Sequence, residues 1–236
     1  MTTPTIVTRS EWLKARKQLL SDEKAFTRQR DALSARRRQL PWVKVETDYR
    51  FHTAAGEKNL SDLFGEAGQL IVQHFMLGEG WDAGCPSCSL WADGYDGTVV
   101  HMNQRDAAFV AVSSAPLDQI EAFKARMGWR FEWVSSQGSS FNRDFHVSFT
   151  QEELDGGEID YNFSKTTFPV TEAPGTSVFT KADDGTVYHT YSCYARGLDM
   201  LNVTYQYLDL LPKGRDEDDL PYAMAWVKRH DEYGRS

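Results

Sequence analysis

Only three cysteines, Cys85, Cys88 and Cys193, occur in the 236 residues. Three are too few for a disulfide framework, and an odd number leaves one thiol unpaired in an oxidising compartment. The expected setting is therefore cytoplasmic and reducing, where a close cysteine pair is redox-active or metal-binding rather than a structural staple. Long apolar runs are also missing. Nothing approaches the roughly 18 consecutive apolar residues of a membrane span, and Met1 to Leu20 lacks the apolar h-region and cleavage site of a secretory leader. Excess positive charge is absent as well. A formal net charge of -8 repels a phosphate backbone, and no Lys/Arg cluster lies beside an aromatic stripe to compensate. Nucleic acid and membrane are not expected partners. There is no internal repeat and no low-complexity tract.

What is present suits a packed core: 41% hydrophobic and 13% aromatic residues, over a length that fits one domain with an extension. The expected organisation is a single domain over 1–236, with an N-terminal helical extension (1–42), a core (43–212) and a C-terminal segment (213–236). Ser10 as N-cap, followed by Trp12, Leu13, Leu19, Leu20, Phe26 and Leu33, predicts a long helix that ends in the basic run Arg36 to Arg38 before Pro41. Further on, a short strand through Phe51, a turn at Ala55 to Glu57 and a brief helical turn at Leu60 to Phe64 precede Gln69 to Met76. That run reads as a buried strand. Helical sequence after Cys88, a strand from Ala107 to Val112, a helix from about Pro116 to Gly128 and a strand at Phe131 to Val134 predict βαβ units and a largely parallel sheet. Gln151 to Thr171 looks like an irregular insertion. Thr176 to Lys181 and Thr186 to Ser192 flank Asp183-Asp184-Gly185 as a hairpin. Gly197 to Leu211 resembles an amphipathic helix, and Lys213 to Asp219 a solvated loop before Trp226 and Val227.

The chemistry centres on Cys85-Pro86-Ser87-Cys88, placed where a buried strand gives way to a helix. A helix N-terminus presents unpaired N–H groups and a positive dipole end, which favour thiolate at the first cysteine. Cys85 is the expected nucleophile. Cys88 lies about one helical turn on, within reach of a mixed disulfide, and is the expected resolving thiol. Pro86 suits the first helical turn, where its missing N–H costs nothing. Zinc is the competing reading. It needs four ligands as a rule, and with no second C-x-x-C it would recruit Cys193 and His189 or His101. A peroxidase is another alternative, although the peroxiredoxin pattern P-x-x-x-[ST]-x-x-C is absent before both Cys85 and Cys88. From a different class comes a non-enzymatic module that holds zinc or copper(I) through the pair.

Other residues bear on the site. Pro174, just before the hairpin, is a candidate cis-proline that would offer backbone groups to an extended substrate. Trp81 and Pro86 are further candidate substrate contacts, and Trp91, Trp129 and Trp133 either line a cleft with Trp81 or pack the core. His74 either tunes a thiol or sits in the core, hydrogen-bonded to backbone. Cys193 either exchanges with the pair or is glutathionylated, or it is a small buried hydrophobe, the commoner behaviour of a free cysteine. His101, Arg105 and Arg196 are candidate cations beside a thiolate. No cofactor is expected; the expected partners are a thiol or disulfide substrate, small or protein, and a cellular thiol reductant, with the oligomeric state open.

Several longer motifs then stand out: Glu11-Trp12-Leu13, Leu40-Pro41-Trp42, His74-Phe75-Met76, Gly84 to Ser89, Met127-Gly128-Trp129, Trp133 to Ser136, Phe141-Asn142, Tyr194 to Asp199 and Ala225-Trp226-Val227. In these the sequence resembles the DUF899 family of thioredoxin-like proteins over nearly its whole length. The resemblance implies an α/β, thioredoxin-like three-layer sandwich, a central mixed sheet with helices on both faces, plus the long N-terminal helix. It also implies dithiol-disulfide oxidoreductase activity at Cys85 and Cys88. Compared with thioredoxin, the intervening pair is Pro-Ser rather than Gly-Pro, Gly84 replaces a tryptophan, and the Leu77 to Gly84 loop is longer.

Overall fold

In a computed structural model of the chain, residues 4–234 are described. Contacts group the chain into two units, Met1–Pro41 and Trp42–Ser236. The first is built around α1 (Arg9–Arg37), none of whose residues is buried. Its cap is Thr8 and not Ser10. A capping box needs a Glu or Gln three residues after the cap, and Glu11 stands in that relation to Thr8. The Glu11 N–H donates to Thr8 Oγ1 at 3.4 Å, and the Thr8 N–H donates to the Glu11 carboxylate at 2.9 Å.

The second unit holds an eight-stranded mixed sheet. Its strands are β1 (Val43–Lys44), β2 (Arg50–Thr53), β3 (Gly56–Asn59), β4 (Gln69–His74), β5 (Ala107–Ser113), β6 (Glu132–Ser135), β9 (Gly175–Lys181) and β10 (Val187–Tyr194). Their spatial order is β1-β10-β9-β4-β5-β6-β2-β3, with β7 (Ile159–Tyr161) and β8 (Ser164–Thr166) paired as a separate ribbon. The helices are α2 (Pro86–Asp96), α3 (Val99–Met102), α4 (Leu117–Met127), α5 (Phe141–Asp144), α6 (Gln151–Asp155) and α7 (Val203–Leu208).

The sheet is less parallel than the βαβ pattern predicts. Only β4, β5 and β6 run parallel, because the β2/β3 and β9/β10 hairpins each bring antiparallel strands into it. Within it, β5-β4-β9-β10 is the thioredoxin-like arrangement: a parallel pair joined through a helix, then an antiparallel hairpin on the other side of the first strand. Pleating sends alternate residues of β4 to opposite faces. Leu70 and Val72 join one core cluster with Phe51, Phe141 and Phe179, while Phe75, just beyond the strand, joins the other with Cys88, Ile120, Phe123 and Trp133. The second cluster is the layer under α2 and α4.

Three further expectations change. The segment 151–171 is ordered as α6 and the β7/β8 ribbon, with Thr150 and Glu153 forming a second capping box. The predicted helix over 197–211 is split into a 3-10 stretch (Ala195–Leu201) and α7, because Asn202 adopts an extended conformation and caps α7 by accepting the Tyr205 N–H at 3.1 Å. Lys213 to Asp219 is no simple solvated loop. Arg215 donates to both Asp199 oxygens at 2.8 and 2.9 Å, and Glu217 accepts from Trp226 Nε1 at 2.7 Å, from the Met224 N–H at 2.9 Å and from the Tyr205 hydroxyl.

Candidate redox site

The site begins at the carboxyl end of β4. The chain loops out through Leu77 to Gly84 and returns so that the Cys85 N–H donates to the Met76 carbonyl at 3.0 Å. Gly84 makes that return possible: a Cβ there would lie 2.6 Å from both the Phe75 and the Phe123 rings. Cys85 is then the N-cap of α2, in extended conformation (φ -53°, ψ 131°), and Pro86 opens the helix as expected. The Cys85 carbonyl accepts the Ser89 N–H at 3.0 Å and the Ser89 hydroxyl at 2.9 Å, which fixes the first turn.

The two thiols differ. Cys85 is partly exposed and Cys88 is buried, and both are free thiols. The Cys85 thiol is drawn down to about 6, chiefly because the Cys88 thiol donates to its sulfur, with further help from the backbone N–H groups of Cys88 and Ser87 and from the Ser87 hydroxyl; burial opposes the shift. Cys88 moves the other way, well above its ordinary value, because it gives up its hydrogen bond on ionising and because it is buried. Proximity and the helix N-terminus therefore divide the pair into a ready thiolate and a held-back thiol.

The other predicted residues are placed as follows. Pro174 immediately precedes β9, and Gly175 pairs with His74 at the end of β4. There is no cis peptide among the described residues, however, so the expected cis-proline is a trans one. Its carbonyl accepts the Tyr161 hydroxyl at 2.8 Å, and the same oxygen of Tyr161 accepts the Ala195 N–H at 3.0 Å. Trp81 is half-buried and packs with Cys85 against the α2 core. Trp129 and Trp133 are buried core residues and not cleft walls, with indole N–H groups bound to Asp93 at 2.8 Å and Ser113 at 3.0 Å. Trp91 is half-buried and donates to the Leu198 carbonyl at 3.3 Å.

His74 belongs to the opposite face of the sheet from the cysteines. It stacks on Phe145 at 5.7 Å and bonds through Nε2 to the Ser177 hydroxyl at 2.8 Å, where backbone had been the expected partner. Burial, reinforced by His189, pushes it down to about 3, so it stays neutral. His101 and Arg105 lie exposed, and Arg196 faces Asp199 at 3.5 Å; none of the three is a cause of the Cys85 shift. Cys193 is buried in β10 opposite Thr176. Among the described residues no group of three or more His, Cys, Asp or Glu is placed to hold a metal ion.

Three participants escaped the sequence reading. Ser87, named in the sequence reading only as half of the Pro-Ser pair, offers its N–H and hydroxyl to the Cys85 sulfur. Arg229 donates to the Gly84 carbonyl at 2.9 Å from far along the chain, a contact no local pattern announces. Glu172, only 5% exposed, lies beside Gly78 of the same loop; its one signal was an isolated carboxylate in front of Ala173-Pro174.

A C-x-x-C that caps a helix at the end of a parallel strand, within this sheet order, defines a thioredoxin-like dithiol protein. The chain belongs to the DUF899 family, described as a bacterial protein of unknown function, which it matches over residues 1–233. No curated protein matches it. Solved structures similar to it include peroxiredoxin Q of Xanthomonas campestris, at 14% identity and a TM-score of 0.48, covering 72% of this chain and 98% of that one. The Xylella fastidiosa PrxQ is similar at 13% identity and a TM-score of 0.44 (70% and 95% covered). The peroxidoxin BcpB of Mycobacterium tuberculosis is similar at 15% and 0.45 (71% and 97%).

Proposed function

We propose that this protein is a thiol–disulfide oxidoreductase that cycles Cys85 and Cys88 between dithiol and disulfide. The observation that carries the reading is the asymmetry of the pair: a partly exposed thiol drawn down to about 6 beside a buried thiol pushed upward. The Cys85 thiolate attacks one sulfur of a substrate disulfide, forms a mixed disulfide and expels the first substrate thiolate. Cys88 then loses its proton and attacks the Cys85 sulfur, which breaks the mixed disulfide and releases the second substrate thiolate. Two electrons pass to the substrate, and a cellular thiol system returns them to the Cys85–Cys88 disulfide. Substrates are disulfides or thiols, small or borne by proteins. No helix of the described residues is long and apolar enough to cross a membrane.

The test is the redox equilibrium of metal-free protein in glutathione buffers, read by thiol trapping and mass spectrometry, beside Cys85→Ser and Cys88→Ser. A reversible two-electron transition lost in both variants is expected. Absence of a Cys85–Cys88 disulfide at every poise sinks the reading and moves the weight to capture of a metal or partner by the pair.

A further inference from the structure

We propose that the polar cavity beside the Cys85 loop receives the protonated amine of a small disulfide substrate, with Glu172 as its counter-ion. The inference rests on the redox reading of Cys85 and Cys88 given above, and names the substrate class.

The cavity measures about 340 Å³ and is lined by Gly78 and Glu79 of the loop, by Ser114 after β5, by Ser136 after β6, and by Asn142 and Glu172. It therefore lies outside the carboxyl ends of β4, β5 and β6, the crevice where open α/β sheets take their ligands, and its volume suits a small molecule. Glu172 is prepared there as a carboxylate. One oxygen accepts from the Ser114 hydroxyl and the other from the Ser148 hydroxyl, both at 2.7 Å.

Its charge is nevertheless unmatched. Arg143 is the one cation lining the cavity, and its guanidinium is engaged by Glu153 at 2.9 Å. Burial accordingly raises the Glu172 carboxyl to about 7, against the pull of Ser114, Ser148 and Asn142. A buried carboxylate with its hydrogen bonds in place and no counter-charge is relieved by a cation. The other carboxylate of the cavity, Glu79 on the exposed rim, has the same sign, so the cavity disfavours anions. A metal ion is the poorer candidate, because hydroxyls and a single buried carboxylate do not make a ligand set, and no metal-binding group is present among the described residues. An ammonium needs only scattered acceptors, which the serine hydroxyls and Glu172 supply.

The cavity and the dithiol share one loop. Met76 carries the carbonyl that holds Cys85, and Gly78 lets Glu172 and Trp81 close in: a Cβ there would meet Trp81 Nε1 at 3.1 Å and Glu172 Cγ at 3.2 Å. The Leu77 to Gly84 loop therefore links the cavity to Cys85, and the proposed ligand is a disulfide with a short aminoalkyl arm.

The experiment compares the oxidation of reduced protein by three disulfides of similar size: cystamine (cationic), bis(2-hydroxyethyl) disulfide (neutral) and dithiodiglycolate (anionic). Wild type, Glu172→Gln, Ser114→Ala and Glu79→Gln are followed by thiol trapping, and cystamine binding to the Cys85→Ser, Cys88→Ser double variant is followed by calorimetry. Glu172→Gln is expected to cut the cystamine rate about tenfold relative to the neutral disulfide, an effect of one counter-ion. Ser114→Ala should cut it less, and Glu79→Gln little. The wild-type preference for cystamine should grow as pH rises through 7, and that growth should vanish in Glu172→Gln. A cystamine-to-neutral ratio unchanged in Glu172→Gln, or lost only in Glu79→Gln, overturns the inference while leaving the dithiol chemistry standing. Failure of all three disulfides to oxidise Cys85 overturns the redox reading itself, and the inference with it.

Discussion

The Arg229 guanidinium donates through Nε to the Gly84 carbonyl at 2.9 Å, so a residue of the C-terminal segment holds the peptide just ahead of Cys85. Its neighbours fasten the same segment. Asp231 and Glu232 pair with Arg126 of α4 at 2.7 and 3.0 Å, and His230 bonds through Nδ1 to Asp93 of α2 at 2.7 Å, on the oxygen that also accepts from Trp129.

Removing that contact should loosen the redox loop. Arg229→Ala leaves the Gly84 carbonyl without its charged donor, a loss of about 1–3 kcal/mol. Arg229→Lys should recover only part of it, because the planar fork that also meets Glu232 is gone. Urea denaturation of the three proteins checks the order; equal midpoints for wild type and Arg229→Ala contradict it.

Two glycines in the same region should respond oppositely to alanine. Gly84→Ala drives a methyl into Phe75 and Phe123 and should cost about 1–3 kcal/mol by overpacking. Gly97, which closes α2 at φ -75° with open space around it, should tolerate alanine with a gain of up to about 1 kcal/mol from a stiffer unfolded chain. Thermal melts of the two variants suffice.

Alkylation of Cys85 by iodoacetamide should rise with pH through about 6 and then level off, because the thiolate is the nucleophile. In Cys88→Ala the main hydrogen-bond donor is lost, and the midpoint should move up toward the ordinary value of about 8.5. The same stabilised thiolate favours the reduced form, so a variant that loses it should have a lower reduction potential than wild type in glutathione buffers. A wild-type midpoint near 8.5 removes the basis for both expectations.

His74 and Glu172 should tilt the pH dependence of stability in opposite directions. His74 is held down to about 3 when folded and returns to about 6.5 when unfolded, so the unfolded chain binds the extra proton between those values. Its contribution is complete above about 6.5 and is lost as pH falls toward 3, up to about 5 kcal/mol in all. Glu172 is raised to about 7 from 4.5, so the folded chain binds the extra proton. Its contribution is complete below 4.5 and is lost as pH rises through 7. His74→Gln should flatten the acid limb and Glu172→Gln the neutral limb of stability plotted against pH. The slopes decide the matter, since either substitution also changes the absolute stability.

Much of the site was legible because its logic is local. A buried strand, a C-x-x-C and a proline at the first helical position lie consecutively in the chain, and helix electrostatics predict which sulfur ionises. The strands β4, β5, β9 and β10 were equally readable from apolar runs and a Gly-containing turn. Misreadings fell where one residue decides between conformations of similar energy. Asn202 interrupts an otherwise helical apolar spacing, Thr8 displaces Ser10 because Glu11 lies three residues after it, and the Pro174 peptide is trans although its place just before the hairpin was foreseen.

By itself, the amino-acid sequence determined the strand that delivers the dithiol and the proline that opens the helix after it, since each depends on neighbours a few residues apart. Only the tertiary structure decided the mixed character of the sheet, the burial that separates Cys85 from Cys88, the strap from Arg229 to Gly84 and the cavity around Glu172. Those follow from desolvation and from contacts between distant segments, and both come into being only when the chain has closed on itself.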